Sequence, residues 1–153
     1  MCKASFDLSE RIVAPVERVY EHLSEPSSYL GLQPLLIEVL DTARGADNNG
    51  RPTRTFRSIE RLRLLGMIPY RNSITTKMTL SRENEHIDFE VHSPGGVTLR
   101  SAFAFSSDDG CCLLRDQVML ECPALLRSFV VNEATKAHRT MLENIKHRLE
   151  GRS

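Results

Sequence analysis

A predicted β-strand of this chain carries an acidic residue on its apolar side. In the segment LLRDQVML, residues 113–120, neighbouring side chains of a strand point to opposite faces, so Asp116 shares a face with Leu114, Val118 and Leu120. A buried carboxylate that finds no partner costs several kcal/mol. We therefore predict that Asp116 accepts a hydrogen bond from another strand or from the last helix, or that it works as an acid or base on a bound molecule.

Glu60 is the second carboxylate placed in this way. In the segment FRSIERL it shares the alternation phase of Phe56 and Leu62. A dry, unpaired carboxyl group has a raised pKa, which suits proton transfer with a carbonyl or an enol, so Glu60 and Asp116 are the candidate catalytic residues. The structural alternative stays open, because one acid could pair with an inward arginine such as Arg54, or both could lie at a wet cavity mouth.

Other side chains of the inward phases are candidates for binding a ligand. Tyr70 and Asn72 share a phase and could orient a polar group, although a buried tyrosine more often donates to a backbone carbonyl. Large apolar side chains on the predicted strands and last helix could line a pocket or serve equally well as ordinary core. These apolar candidates are Phe56, Met78, Phe89, Phe103, Phe129 and Met141.

Several other kinds of site lack the residues they need. The chain has no H-E-x-x-H, G-x-S-x-G, P-loop or G-x-G-x-x-G motif. Of its histidines, His138 and His147 fall on one predicted helix but about half a turn out of register, which does not suit a shared metal ion. The four cysteines form no C-x-x-C pair and are interpreted as reduced thiols. We predict that the protein uses neither a metal nor a cofactor.

Charge and hydropathy narrow the class of partner. The 153 residues contain 20 lysines plus arginines and 20 aspartates plus glutamates, so no long-range positive field favours nucleic acid. A small neutral or apolar partner fits better. The N-terminus has no apolar signal-peptide core, and no run approaches the ~20 apolar residues of a transmembrane segment. The sequence therefore predicts a soluble cytoplasmic protein.

The elements that would position these residues can be predicted from turn signals and periodicity. Residues 4–13 predict an opening strand. After Gly31, turn-forming segments recur at hairpin spacing and predict an antiparallel meander of six strands with one wet face. Those segments lie at 47–50, 66–69, 83–85, 93–96 and 108–110.

Three helices are predicted around this meander. The segment APVERVYEHLS has Pro15 at a first helical position and predicts a short amphipathic helix. A second short helix is predicted with Ser24 as its N-cap, Pro26 inside it and Gly31 at its end. After Pro123 the apolar period changes to 3.6 and predicts one long helix over residues 124–149.

This order of elements resembles the helix-grip fold of the START/Bet v 1-like (SRPBCC) superfamily, with the bacterial polyketide cyclase/dehydrase-like branch most similar. The segments RIVAPVERVYEHLSEPSSY and DQVMLECP carry the local likeness, which spans nearly all of residues 1–153 as one domain. The resemblance implies an α+β fold, in which a curved antiparallel sheet of six to seven strands wraps a long C-terminal helix, with two short helices after the first strand. It also implies a cavity between sheet and helix for a sterol, lipid, polyketide or aromatic product.

Three functional hypotheses follow from the sequence and the resemblance. The first is a binding protein for a small hydrophobic or amphipathic ligand, polyketide-like or lipid-like. The second is a cofactor-free cyclase or dehydratase that uses Asp116 or Glu60 as acid or base. The third is an interaction module with a vestigial cavity, whose exposed sheet edge or helix pairs with a partner. A homodimer is compatible with all three, and the sequence identifies neither the ligand nor the oligomeric state.

Overall fold

Seven strands form one curved antiparallel sheet that carries the rest of the molecule. The structure is a computed structural model that describes residues 1–64 and 67–151, without the side chains of Asp41 and Leu64. The sheet order is β1-β7-β6-β5-β4-β3-β2, and every neighbouring pair in the described residues is antiparallel, as predicted. The strands are β1 (Cys2–Ile12), β2 (Leu36–Ala46), β3 (Pro52–Leu64), β4 (Ile68–Arg82), β5 (His86–Ser93), β6 (Val97–Asp108) and β7 (Cys111–Cys122).

Tight turns join the meander strands where the sequence predicted them. The turns at 47–50, 83–85, 93–96 and 108–110 each separate two strands, whereas the predicted turn at 66–69 lies partly outside the described residues. The first of these turns shows why the residue types matter. Oδ1 of Asp47 accepts hydrogen bonds from the backbone N–H groups of Asn49 and Arg51, each at 2.9 Å, and Gly50 takes a φ of +78°.

The region between β1 and β2 holds one α-helix and one short turn of 3₁₀ helix. Helix α1 (Val16–Leu23) buries Val16, Val19, Tyr20 and Leu23, the predicted apolar face. The second predicted helix is only a 3₁₀ turn, Pro26–Tyr29. The prediction that Ser24 caps it was wrong, because the Ser24 hydroxyl donates instead to the Tyr20 carbonyl at 2.7 Å and closes the end of α1.

The long C-terminal helix approaches the sheet unevenly. A 3₁₀ turn (Ala124–Leu126) leads into α2 (Arg127–Leu149), which confirms the predicted helix. Ala137, Met141, Leu142, Ile145 and Leu149 are buried in its C-terminal half, which packs mainly against β1. In the preceding turns Leu126 is 40% exposed, and Val130 and Ala134 are only partly buried. The N-terminal half of α2 therefore leaves a gap above the sheet.

Strand β7 shows which face of the sheet is buried. Leu114, Asp116, Val118 and Leu120 are all buried, while the residues between them are exposed, so the predicted phase is confirmed. The same inward face of the other strands joins α1 and the C-terminal half of α2 in one hydrophobic core. Its fully buried members include Ile12, Leu23, Met78, Ile87, Phe103 and Ile145.

Candidate functional site

Asp116 is fully buried and paired with a histidine from the last helix. Its exposure is 0%, and its Oδ2 lies 2.5 Å from Nδ1 of His138 on α2. The prediction that a donor from another strand or from the final helix holds Asp116 is confirmed. Oδ1 of Asp116 has no hydrogen-bond partner among the described residues. Because an ionised carboxylate only accepts hydrogen bonds, Nδ1 of His138 carries the shared proton in that state.

The position of His138 follows from the geometry of two elements. Asp116 stands between Leu8 of β1 and Phe103 of β6 in the sheet register, directly below α2. The ring of His138 meets the ring of Phe6 edge-on, with centroids 5.8 Å apart. The spacing of the histidines in the sequence does not suit a metal site, and it gave no indication that His138 is the partner of Asp116.

Glu60 is held by two amides rather than by a cation. Nε2 of Gln33 donates to one carboxylate oxygen at 2.7 Å, and Nδ2 of Asn72 approaches the other at 3.5 Å. Asn72 also donates to Oγ of Ser93 at 2.8 Å. The alternative partner considered for the two acids, Arg54, donates to the backbone carbonyl of Thr53 instead. Glu60 is therefore a partly buried carboxyl whose only described hydrogen-bond partners are neutral.

Burial raises the pKa of Glu60 above that of an ordinary glutamate. The hydrogen bonds from Gln33 and Asn72 and the nearby His138 all act in the opposite direction, but the loss of hydration outweighs them. The carboxyl group thus keeps its proton to a higher pH in the folded protein than in the unfolded chain. This is the environment predicted from its apolar strand neighbours.

The raised pKa of Glu60 predicts a pH-dependent cost in stability. As pH rises from about 4.3, the unfolded glutamate ionises first, so the free energy of unfolding falls through Glu60's raised pKa and stays lower above it. Glu60→Gln should remove this fall, so the variant should gain stability relative to wild type between acidic and neutral pH. Urea unfolding at several pH values measures the difference. Glu143→Gln, an exposed control on α2, should give a flat difference curve, and a flat curve for Glu60→Gln would contradict the prediction.

The gap under the N-terminal half of α2 contains two adjoining chambers. The outer chamber has a volume of about 430 Å³ and the inner chamber about 130 Å³. Both are lined by the same ring of residues, which we call the waist. The waist consists of Gln33, Glu60, Ile74, Val91, Leu99 and His138. The two parts of a mainly apolar space therefore share a boundary that carries a carboxyl, an amide and an imidazole.

The predicted ligand-binding residues divide between the two chambers. Phe56, Phe89, Phe103 and Met141 line the inner chamber, where the rings of Phe89 and Phe103 meet edge-on at 5.2 Å. Tyr70, Asn72 and Phe129 line the outer chamber. Two of the predicted residues, Met78 and Asp116, are not among the described residues that line the chambers. Met78 is buried in the core, and Asp116 lies behind His138.

The outer chamber opens at a rim of exposed apolar side chains. Tyr70 and Leu126, both in its lining, are each 40% exposed. Tyr70 is therefore a rim residue rather than the buried tyrosine considered from the sequence. An amphipathic molecule that enters here would pass an apolar rim before it reaches the waist.

Two further features are absent from the described part of the chain. Within residues 1–64 and 67–151, no group of three or more histidine, cysteine, aspartate or glutamate side chains is arranged to hold a metal ion. None of the helices described in those ranges is long and apolar enough to cross a membrane.

Comparison with known proteins places the chain in a family and in a fold. The family described as "Domain of unknown function (DUF7053)" matches residues 13–151. No curated protein matches the sequence. A START superfamily protein from Mycobacterium smegmatis superposes with a TM-score of 0.73 at 16% identity, over 96% of this chain and 97% of that one.

Two proteins described as aromatase/cyclases have a similar structure. The di-domain aromatase/cyclase BexL, from the BE-7585A biosynthetic pathway, superposes with a TM-score of 0.77 at 16% identity, over 99% of this chain and 51% of its own. The ZhuI aromatase/cyclase from Streptomyces sp. R1128 superposes with a TM-score of 0.64 at 13% identity, over 96% of each chain. This chain thus spans about half the length of BexL. At these identities the likeness shows the START-like, polyketide cyclase-like helix-grip fold.

Proposed function

The chain belongs to the DUF7053 family, a domain of unknown function, and we propose that it acts as one domain that binds a small hydrophobic or amphipathic ligand. The ligand would be polyketide-like or lipid-like and would lie between the sheet and α2. The single observation that carries this proposal is the pair of chambers joined at the waist. The names of the similar structures, START superfamily protein and aromatase/cyclase, support the same class of ligand.

The size and lining of the chambers support a ligand rather than a packing fault. Protein interiors rarely leave voids larger than a water molecule, and ligand pockets usually measure about 300–1,000 Å³. The outer chamber alone, at about 430 Å³, falls within that range. Its wall combines apolar side chains with a few convergent polar groups, the usual composition of a ligand pocket.

Filling the outer chamber tests this function. Ala134 faces the chamber from α2, so Ala134→Phe should occupy part of the ligand space and weaken binding at least tenfold while the protein stays folded. Lys136→Phe, on the exposed face of the same helix, is the matched control and should bind like wild type. Binding is followed by titration with Nile red, an uncharged fluorescent hydrophobe. Failure of wild type to bind saturably, or equal binding by Ala134→Phe, would contradict the proposal.

A second function, cofactor-free cyclisation or dehydration, is favoured by one observation. Glu60 has a raised pKa and lines the same waist as His138, so an acid and a base could act on one bound molecule. Asp116 would then act through His138, since it lines neither chamber. The test is mass spectrometry of a co-purified ligand after incubation. Cyclisation alone leaves the mass unchanged, so the chromatographic retention of the ligand is followed as well. Loss of one water or a shifted retention in wild type, but not in a Glu60→Gln variant that still binds, would establish turnover, whereas an unchanged ligand would leave binding as the function.

The remaining proposals concern location and partners. We propose a cytoplasmic protein, which its four free cysteines support because unpaired thiols are typical of reducing compartments. Equal numbers of basic and acidic residues support a partner other than nucleic acid. A homodimer is the assembly to test, by light scattering across a dilution series.

A further inference from the structure

We propose that the cavity selects its ligand by charge: it takes amphiphiles whose polar group is a hydroxyl or an amine and rejects those that end in a carboxylate. This inference rests on the proposed binding function and specifies the class of ligand. The observation behind it is the kind of charge found along the walls of the two chambers.

The walls carry acidic groups without opposing lysines or arginines. Glu60 lines both chambers, and Glu133 lines the outer one. Among the described residues that line either chamber, no lysine or arginine occurs, and His138 is the sole basic side chain. An anionic head group inside the cavity would therefore meet like charge in a partly dry setting, where electrostatic interactions are stronger than in water.

His138 does not supply the missing positive charge. Its Nδ1 is bound to Asp116, which is fully buried, so any charge on the imidazole is balanced by the carboxylate behind it. Glu60 and Glu133 can contribute only zero or negative charge. While Asp116 is ionised, no protonation state of His138 and the two glutamates makes the wall net positive.

Four arginines on the surrounding elements are engaged elsewhere or face outward. Arg54 donates to the Thr53 carbonyl, and Arg148 donates to the carbonyls of Ser28 and Leu30. Arg61 and Arg71 alternate with the inward residues of β3 and β4 and are exposed. None of these four guanidinium groups lines the outer or the inner chamber among its described residues.

The hydrogen-bonding groups in the waist and directly beside it point to the same preference. Both polar atoms of the Gln33 amide are hydrogen-bonded within the protein. Its Nε2 donates to Glu60, and its Oε1 accepts from the backbone N–H of Leu35 at 2.6 Å. Asn72 donates to Ser93 and approaches Glu60 only at 3.5 Å, which leaves that carboxylate oxygen weakly satisfied. A hydroxyl or ammonium group can donate to this oxygen, whereas a carboxylate has no proton to give.

Three probes with the same ten-carbon chain test the selection. Decanol, decylamine and decanoate are each used below their micelle concentrations to displace Nile red at pH 7.5. We expect decanol and decylamine to displace it, and decanoate to bind at least tenfold more weakly than decanol. Decanoate binding as tightly as decanol would overturn the inference while leaving the proposed function in place. If neither Nile red nor any of the probes binds, the proposed function fails and the inference fails with it.

Two substitutions connect the selection to the wall. Glu60→Gln should bring the affinity for decanoate within about threefold of the affinity for decanol. Glu143→Gln, on an exposed part of α2, should leave the tenfold difference in affinity unchanged. Glu133→Lys places a cation at the outer chamber without disturbing the waist and should also improve decanoate binding. A gap that persists in both Glu60→Gln and Glu133→Lys would show that the wall charge is not its cause and would overturn the inference.

Discussion

Replacing His138 with leucine is expected to lower the free energy of unfolding by about 3–5 kcal/mol. The substitution leaves Asp116 fully buried, and it removes the one hydrogen bond described for that carboxylate. Since Oδ1 of Asp116 already has no partner among the described residues, no neighbouring donor compensates the loss. Urea unfolding of the purified variant measures the change.

A double substitution separates the buried charge from other effects of the change. Adding Asp116→Leu to His138→Leu should restore much of the lost stability, because the pair is then apolar on both sides. His147→Leu, on the exposed face of the same helix, is the control and should change stability by less than about 0.5 kcal/mol. A His138→Leu variant as stable as the control would contradict the assignment of His138 as the partner of Asp116.

Replacing Arg148 with methionine is expected to cost about 2–3 kcal/mol in stability, since hydrogen bonds from a charged donor are worth more than neutral ones. The guanidinium group donates to the Ser28 carbonyl at 2.6 Å and to the Leu30 carbonyl at 2.9 Å. It thereby fastens the end of α2 to the segment of residues 28–33, to which Asn144 also donates at the Leu32 carbonyl. Methionine keeps most of the aliphatic stem but makes none of these bonds.

Hydrogen exchange distinguishes this local role from a general loss of stability. In Arg148→Met, amide protons of residues 28–33 should exchange faster than the global change in stability explains. Arg139→Met, an exposed arginine on α2, should affect neither the unfolding free energy nor that segment. Because Gln33 ends this segment and donates to Glu60, Arg148→Met should also weaken Nile red binding. Unchanged exchange at residues 28–33 would show that Arg148 does not hold the segment.

Sequence periodicity predicted which faces of the strands are buried, but it did not predict which residue of α2 meets Asp116. The alternation in LLRDQVML placed Asp116 inward and called for a donor, and the structure has both. Choosing His138 as that donor requires the rotation of α2 above the sheet, which depends on long-range packing. One clue was present, since His138 lies four residues after Ala134 and three before Met141, on the same apolar stripe.

The depth of a side chain within the fold was harder to predict than the face of the strand on which it lies. Met78 has the inward phase, yet it packs in the core, whereas Phe129 and Asn72 reach the outer chamber. The difference arises because α2 packs closely at its C-terminal half and stands away from the sheet at its N-terminal half. A strand pattern of period two carries no information about that tilt.

The pairing of β1 with β7 bears on how the chain reaches its native state. Cys2 pairs with Cys122 and Ile12 with Cys112, so among the described strands the single sheet neighbour of β1 is β7, at the far end of the meander. Such distant pairings raise the contact order, and domains of this kind generally fold in milliseconds to seconds rather than microseconds. On the ribosome, β1 emerges before the other six described strands, so its apolar side waits for β7 before it is covered. During that interval β1 is the segment most exposed to misassociation and the most useful one for a chaperone to shield.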